Sequence, residues 1–382
     1  MNNTITVIDI EKSGISLVTG YHFNEKEYIL SARHSSPLAV DSQTRFFDRK
    51  QLKETLLERM NKTKSSLADG NLGGRILLVP SEGFEALTER NSSTAVAGDR
   101  VSFQDYASCN LRLRRRCEGE KASFTAVSIV PYSFLADNTS YKSFPSGIKG
   151  QLLTVYSDAQ RLPSTIYSFF QKRRTEIGRK PYLAFFSAYA RTDYRNSTNA
   201  PSEYLVLDLN EQECTLSYVS RHRLLRTRPI GCGIGNIIYD ASKKLNISYS
   251  HCKELINLFG ISGLCGFPYQ GNDVFTAEER KEAFSKSLEP ISLFLKNTGF
   301  TNVPLFLTGE YGNLVGLKEE LSTQTGLRTQ LFSAPLIGAK DACYLPCIGA
   351  IRLSSYSYQP TPAEGSKTQQ QYDLGKEPFK RD

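Results

Sequence analysis

The amino-acid sequence predicts a duplicated, layered α/β fold that carries a small α+β insertion, and three observations predict it. An apolar strand ending in aspartate occurs twice, as Ile5-Thr6-Val7-Ile8-Asp9-Ile10 and as Tyr204-Leu205-Val206-Leu207-Asp208-Leu209. Each is followed by a polar turn, a returning strand and stretches of helical spacing, the alternation from which layered α/β domains are built. Residues 101–162 break that alternation with a polar helix and two strands.

In chain order, 5–10 and 15–18 read as a β-hairpin with Asp9 near its bend, and 28–32 as a third strand. Leu52, Leu56, Leu57 and Met60 give 51–61 helical spacing, which leads into the strand Ile76-Leu77-Leu78-Val79-Pro80. The insertion reads as a helix over 103–117 and strands over 125–130 and 151–156, separated by a turn marked with Pro and Gly. The second half repeats the first: strands over 204–209 and 215–219, a resumption at Leu224-Leu225, then Gly231-Cys232-Gly233-Ile234-Gly235. Helices are predicted over 237–245, 250–259 and 277–297, a strand over 304–308 running into Gly309, and a helix over 314–325. Beyond Tyr358 the chain is too polar to bury a core, and 359–382 is predicted to be disordered.

Composition excludes several classes of function. The chain has 382 residues, of which 40% are apolar, enough for a sizeable core. No run approaches the roughly 20 apolar residues of a membrane span, and Met1-Asn2-Asn3-Thr4 does not begin a signal peptide, so a cytoplasmic protein is expected. The eight cysteines form no CxxC pair, which points to free thiols, and the four histidines have no metal spacing. Cys343 and Cys347 read as small core residues. The net charge of +8 is spread along the chain, apart from Arg112, Arg114, Arg115 and Arg116 and the pair Arg173-Arg174. The arginine cluster reads as a solvated helix face, and no nucleic-acid partner is expected.

The segments Ile129-Val130-Pro131-Tyr132-Ser133-Phe134-Leu135-Ala136-Asp137 and Phe144-Pro145-Ser146-Gly147-Ile148-Lys149-Gly150 are similar to a motif pair of the bacterial cell-division family FtsA. There the pattern is Ile-Pro-x-x-Phe-x-x-Asp followed by Pro-x-Gly-x-x-Gly. Gly233-Ile234-Gly235-Asn236-Ile237-Ile238-Tyr239-Asp240 resembles the glycine-rich approach to the adenosine side of the cleft. Leu307-Thr308-Gly309 with Gly316-Leu317 resembles the third nucleotide motif, and Gly349-Ala350 the closing helix. The resemblance implies the actin-like fold of the actin, Hsp70 and sugar-kinase superfamily, with the family's inserted subdomain 1C. It places subdomain 1A at 1–83, 164–203 and 334–358, 1C at 84–163, 2A at 204–240 and 300–333, and 2B at 241–299.

In the superfamily, glycines in two hairpin turns let backbone N–H groups approach the phosphates, and the strand-end aspartates hold hydrated magnesium. The resemblance therefore marks Asp9, Lys12, Ser13, Asp208, Gly233, Gly235 and Gly309 as nucleotide-site positions, with Asp9 and Asp208 the magnesium residues. Asp9 and Asp208 equally fit a local role, accepting backbone N–H bonds in their turns. The motifs also depart from the family pattern. Glu11 stands at a glycine position, and Asp208-Leu209-Asn210-Glu211-Gln212-Glu213-Cys214-Thr215 replaces Asp-Ile-Gly-Gly-Gly-Thr-x-Asp. Glu310 replaces another glycine, and Lys253 and Ile256 stand where the family has Glu and Lys. Like charges about 4 Å apart repel by roughly 4 kcal/mol at an effective dielectric near 20, so Glu11, Glu211 and Glu310 each oppose a triphosphate, while Lys12 offsets part of this. The expectation is a degenerate site and a pseudo-ATPase with no catalytic residue and no cofactor, ATP with magnesium entering only if the site works.

The function implied is that of an adaptor. It would bind the carboxy-terminal tail of FtsZ, with Lys243, Lys244, Lys253, Arg280 and Lys281 in 2B as electrostatic partners. It would also self-associate into filaments through subdomain contacts and meet other division proteins at the inner face of the membrane. The segment 359–382 has only Tyr372, Leu374 and Phe379 as large apolar residues, interrupted by Pro378, so membrane contact is expected to be indirect. The alternatives are an ATP-binding switch or ATPase, and an actin-like adaptor of type IV pilus assembly.

Overall fold

The computed structural model describes residues 4–11, 14–23, 26–35, 49–67, 70, 72, 75–80, 87–119, 123–141, 144–165, 167–168, 182–183, 201–220, 223–261, 276–332, 336–337 and 342–355. The first half runs β1 (Ile5–Glu11), β2 (Gly14–Phe23), β3 (Lys26–Ser35), α1 (Arg49–Ser66) and β4 (Arg75–Pro80). The insertion follows as β5 (Leu87–Val96), α2 (Phe103–Gly119), β6 (Phe124–Ala136), β7 (Thr139–Tyr141) and β8 (Leu152–Pro163), and after it comes β9 (Tyr182–Leu183). The second half has β10 (Glu203–Leu209), β11 (Cys214–Ser220), β12 (Arg223–Pro229), α3 (Ile234–Lys244), α4 (Tyr249–Phe259), α5 (Ala277–Ser287) and α6 (Glu289–Asn297). It continues with β13 (Leu305–Thr308), α7 (Leu317–Thr325) and β14 (Thr329–Leu331), and β15 (Leu336–Ile337) and α8 (Leu345–Ser355) close the chain.

The duplication is explicit in the sheets. One has the order β15-β3-β2-β1-β4-β9 and the other β12-β11-β10-β13-β14. In both, the aspartate-bearing strand pairs antiparallel with the next strand and parallel with a later one. Asp9 lies between Ser16 and Val79, and Asp208 between Thr215 and Thr308. A continuous core joins the two halves, with Val7, Val18 and Val79 packing in one cluster with Val206, Val219 and Phe306. Cys347 of α8 sits in this core, its thiol against the carbonyls of Val7 and Ser16.

The third sheet, β5-β8-β6-β7, belongs wholly to the insertion. Tyr106, Cys109, Leu113 and Cys117 recur at helical spacing and bury one face of α2. Burial raises the Cys109 thiol to about 11.

Three expectations change in detail. The helix predicted over 277–297 is two helices meeting at Leu288, because Pro290 has no N–H to continue the ladder and suits a first turn. The strands predicted over 125–130 and 151–156 extend to β6 and β8, Pro131 being accommodated at a register shift between Pro131 and Ser133. β5 has no counterpart in the sequence reading, because its centre, Arg90-Asn91-Ser92-Ser93-Thr94, lacks apolar alternation. The tail 359–382 and the pair Arg173-Arg174 lie outside the described residues. Among the described residues, no helix is long and apolar enough to cross a membrane.

Candidate functional site

β10 and β11 are joined through Asn210-Glu211-Gln212-Glu213, and that turn folds back onto the start of α3. Ile234 N donates to Asn210 O at 2.9 Å and Gly235 N to Glu211 O at 2.8 Å, while Gly233 N donates to Asn236 Oδ1 at 2.9 Å. A helix start leaves N–H groups without intrahelical acceptors. Here the turn's carbonyls and Asn236 supply those acceptors.

This contact explains two glycines. A Cβ on Gly233 would stand 2.3 Å from Glu211 O and 2.4 Å from Gln212 C, and one on Gly235 would stand 2.8 Å from Glu211 O. Both glycines lie against the chain's own turn.

The side chain of Glu211 fastens the turn to α4. Its Oε1 accepts from Tyr249 Oη at 2.8 Å, and Lys253 Nζ lies 2.8 and 2.7 Å from its two oxygens. Tyr249 and Lys253 are four residues apart on one helical face, so both reach the same carboxylate. The ion pair is half-buried, Glu211 being 15% and Lys253 30% exposed. Burial and then the Glu211 carboxylate push the Tyr249 phenol well above its ordinary value.

Asn210 is the second fastening. Its Nδ2 donates to Asp208 Oδ2 at 2.8 Å, and its Oδ1 accepts from Glu310 N at 3.1 Å. Tyr311 N adds a bond to Leu209 O at 3.0 Å. Gly309, at φ +90°, is pressed against β10: a Cβ there would lie 2.6 Å from Leu209 O and 2.7 Å from Asp208 Oδ1. One buried asparagine thus links the strand-end aspartate, the glycine-rich start of α3 and the loop after β13.

The site residues read from the sequence fall into three groups. Asp208, Gly233, Gly235 and Gly309 converge around the second turn. Asp9 is buried at the matching place in β1, 1% exposed, while Lys12 and Ser13 lie outside the described residues. Of the five basic residues assigned to a partner, Lys253 is committed to Glu211, and Arg280 is buried with its guanidinium 4.4 Å from the Phe259 ring centre. Lys243, with its ammonium 4.2 Å over the Tyr239 ring, and Lys281 are exposed. Lys244 is exposed too, bridged to Asp240 at 2.6 Å and Ser287 at 3.0 Å. Sequence reasoning missed Asn210 and Tyr249. Both act across long separations, Asn210 on Glu310 and Tyr249 on Glu211. Among the described residues, no group of three or more His, Cys, Asp or Glu is gathered for a metal ion.

No protein-family model matches the chain, and no curated protein matches its sequence. Solved structures do match its fold. The PilM-PilN type IV pilus biogenesis complex aligns at TM-score 0.59 and 12% identity, over 91% of this chain and 97% of the other. The ethanolamine utilization protein EutJ from Carboxydothermus hydrogenoformans aligns at 0.52 and 10%, over 92% and 90%. MreB5 of Spiroplasma citri bound to ADP aligns at 0.50 and 9%, over 92% and 96%. These likenesses establish the actin-like ATPase fold.

Proposed function

We propose that this chain is an actin-like adaptor of the FtsA type that works by binding proteins and self-assembling, and that it does so without nucleotide. The observation that carries the reading is the second turn, whose backbone covers Gly233 and Gly235 and is fastened by Glu211 to Lys253 and Tyr249. ATP would have to lift this turn, break a half-buried ion pair and sit beside Asp208 and Glu310. Catalysis needs preorganised donors where charge develops, and here the N–H groups of Ile234 and Gly235 are already spent on the turn.

The partner assigned to this adaptor is the FtsZ tail, an acidic segment that Lys243, Lys244 and Lys281 can attract electrostatically. The motif pair around Pro131 and Pro145 supports the division role. A second reading has its own support: the whole-chain likeness to PilM, seen with PilN, favours an adaptor of pilus assembly.

The two are separated by titrating the purified chain with an FtsZ tail peptide and, in parallel, with a PilN peptide. The division reading expects binding of the FtsZ peptide, weakened about tenfold by combined Lys243→Glu and Lys281→Glu. Binding of the PilN peptide alone would move the role to pilus assembly, and binding of neither would remove the adaptor role as assigned.

A further inference from the structure

In the insertion, β8 lies between β5 and β6, so among the described residues β5 pairs with β8 alone. Antiparallel pairing turns alternate backbone groups away from the neighbouring strand, and an edge of this kind is a template for another strand. The carbonyls of Ser92 and Thr94 are engaged from α2 rather than from a strand. Arg116 Nη1 donates to Ser92 O at 3.3 Å, and Arg112 Nη1 donates to Thr94 O at 2.6 Å.

The exposed charge along this edge is mostly arginine. Arg112, Arg115 and Arg116 on α2 and Arg90 on β5 are all exposed. Among the described residues, no carboxylate pairs with Arg112, Arg115 or Arg116. Glu89, the carboxylate of β5, is held by Arg161, whose Nη1 lies 3.0 Å from each of its oxygens. Between Asn91 and Val96 the strand carries neither charge nor proline.

We propose that the β5 edge is a docking site for an extended, acidic segment of a partner protein, which adds to the sheet as a further strand. On docking, Arg112 and Arg116 exchange neutral backbone acceptors for carboxylates, a stronger bond for a guanidinium. The carbonyls of Ser92 and Thr94 are thereby released to accept N–H groups of the incoming strand. Backbone pairing supplies position, and the arginines supply the preference for acid. This site is separate from the 2B lysines on which the adaptor reading rests.

The test uses the full chain and a labelled synthetic peptide of alternating glutamate and valine, with a lysine and valine peptide as its counterpart. The acidic peptide is expected to bind, to weaken as salt rises, and to lose about tenfold or more in affinity with Arg112→Glu combined with Arg116→Glu. Ser92→Pro removes an outward N–H, tolerable on an edge strand, and is expected to abolish binding while leaving the urea midpoint near wild type. Arg112→Gln with Arg116→Gln serves as the gentler variant should the charge reversal unfold the insertion. Equal binding of both peptides, or acidic-peptide binding untouched by Ser92→Pro and by the arginine variants, would overturn the proposal. So would preferential capture of a DNA oligonucleotide by the same arginines.

Discussion

Gly309→Ala is expected to cost about 2–6 kcal/mol, from two independent sources. The residue sits at φ +90°, where an L side chain is strained by about 1–3 kcal/mol. Its added Cβ would also meet Leu209 O at 2.6 Å and Asp208 Oδ1 at 2.7 Å, and overpacking of this kind costs about 1–3 kcal/mol. Leu209 ends β10 and its O accepts from Tyr311 N, so the neighbour has little room to give. Against a total stability of about 5–15 kcal/mol, the variant should show a much lower urea midpoint. Gly98→Ala is the control, because nothing lies within 4 Å of its Cβ, and it should stay within about 0.5 kcal/mol of wild type. Equal midpoints for Gly309→Ala and wild type would mean that the loop after β13 does not press on β10 as described.

The second large effect is expected at Asn210. Asn210→Ala removes the donor to Asp208 Oδ2 and the acceptor for Glu310 N in a place only 8% exposed. Each of the two partners that loses its bond costs about 1–3 kcal/mol, so the loss should be about 2–6 kcal/mol. A cavity of the same size in an apolar core would change stability alone. Here, amide exchange should also quicken at Ile234 and Gly235, whose N–H groups depend on the turn that Asn210 holds. A stability loss with unchanged exchange at those two amides would show that Asn210 does not anchor the turn.

Much of the fold was legible because it is written locally. The two apolar strands ending in Asp9 and Asp208, and the polar turns after them, mark the duplicated hairpins by period and length alone. The helix α2 was legible as a polar helix over 103–117, although its buried face was not read. β5 was not, since an edge strand with Arg90, Ser92 and Thr94 turned to solvent has no apolar alternation to read. The break at Leu288 was hidden by apolar spacing that continues in phase across Pro290.

The candidate site was legible in its positions and not in its contacts. Gly233, Gly235 and Gly309 were marked by the resemblance as nucleotide-site positions, and in the structure each is pressed closely by a neighbouring segment. What approaches is this chain's own backbone. Asn210 and Glu211 read as lost glycines because a sequence shows substitutions one at a time. Their replacement partners stand far away: Lys253 for Glu211, and the Glu310 amide for Asn210. Lys253 itself was assigned to a partner surface, for nothing in its local sequence reveals the carboxylate that holds it.

The central claim, an adaptor whose nucleotide cleft is filled by its own turn, is tested most directly by calorimetric titration of the purified chain with magnesium-ATP. The account predicts no saturable heat for the wild type. Saturable, tight binding that disappears with Asp9→Ala or Asp208→Ala would contradict it and make the chain a nucleotide-gated switch.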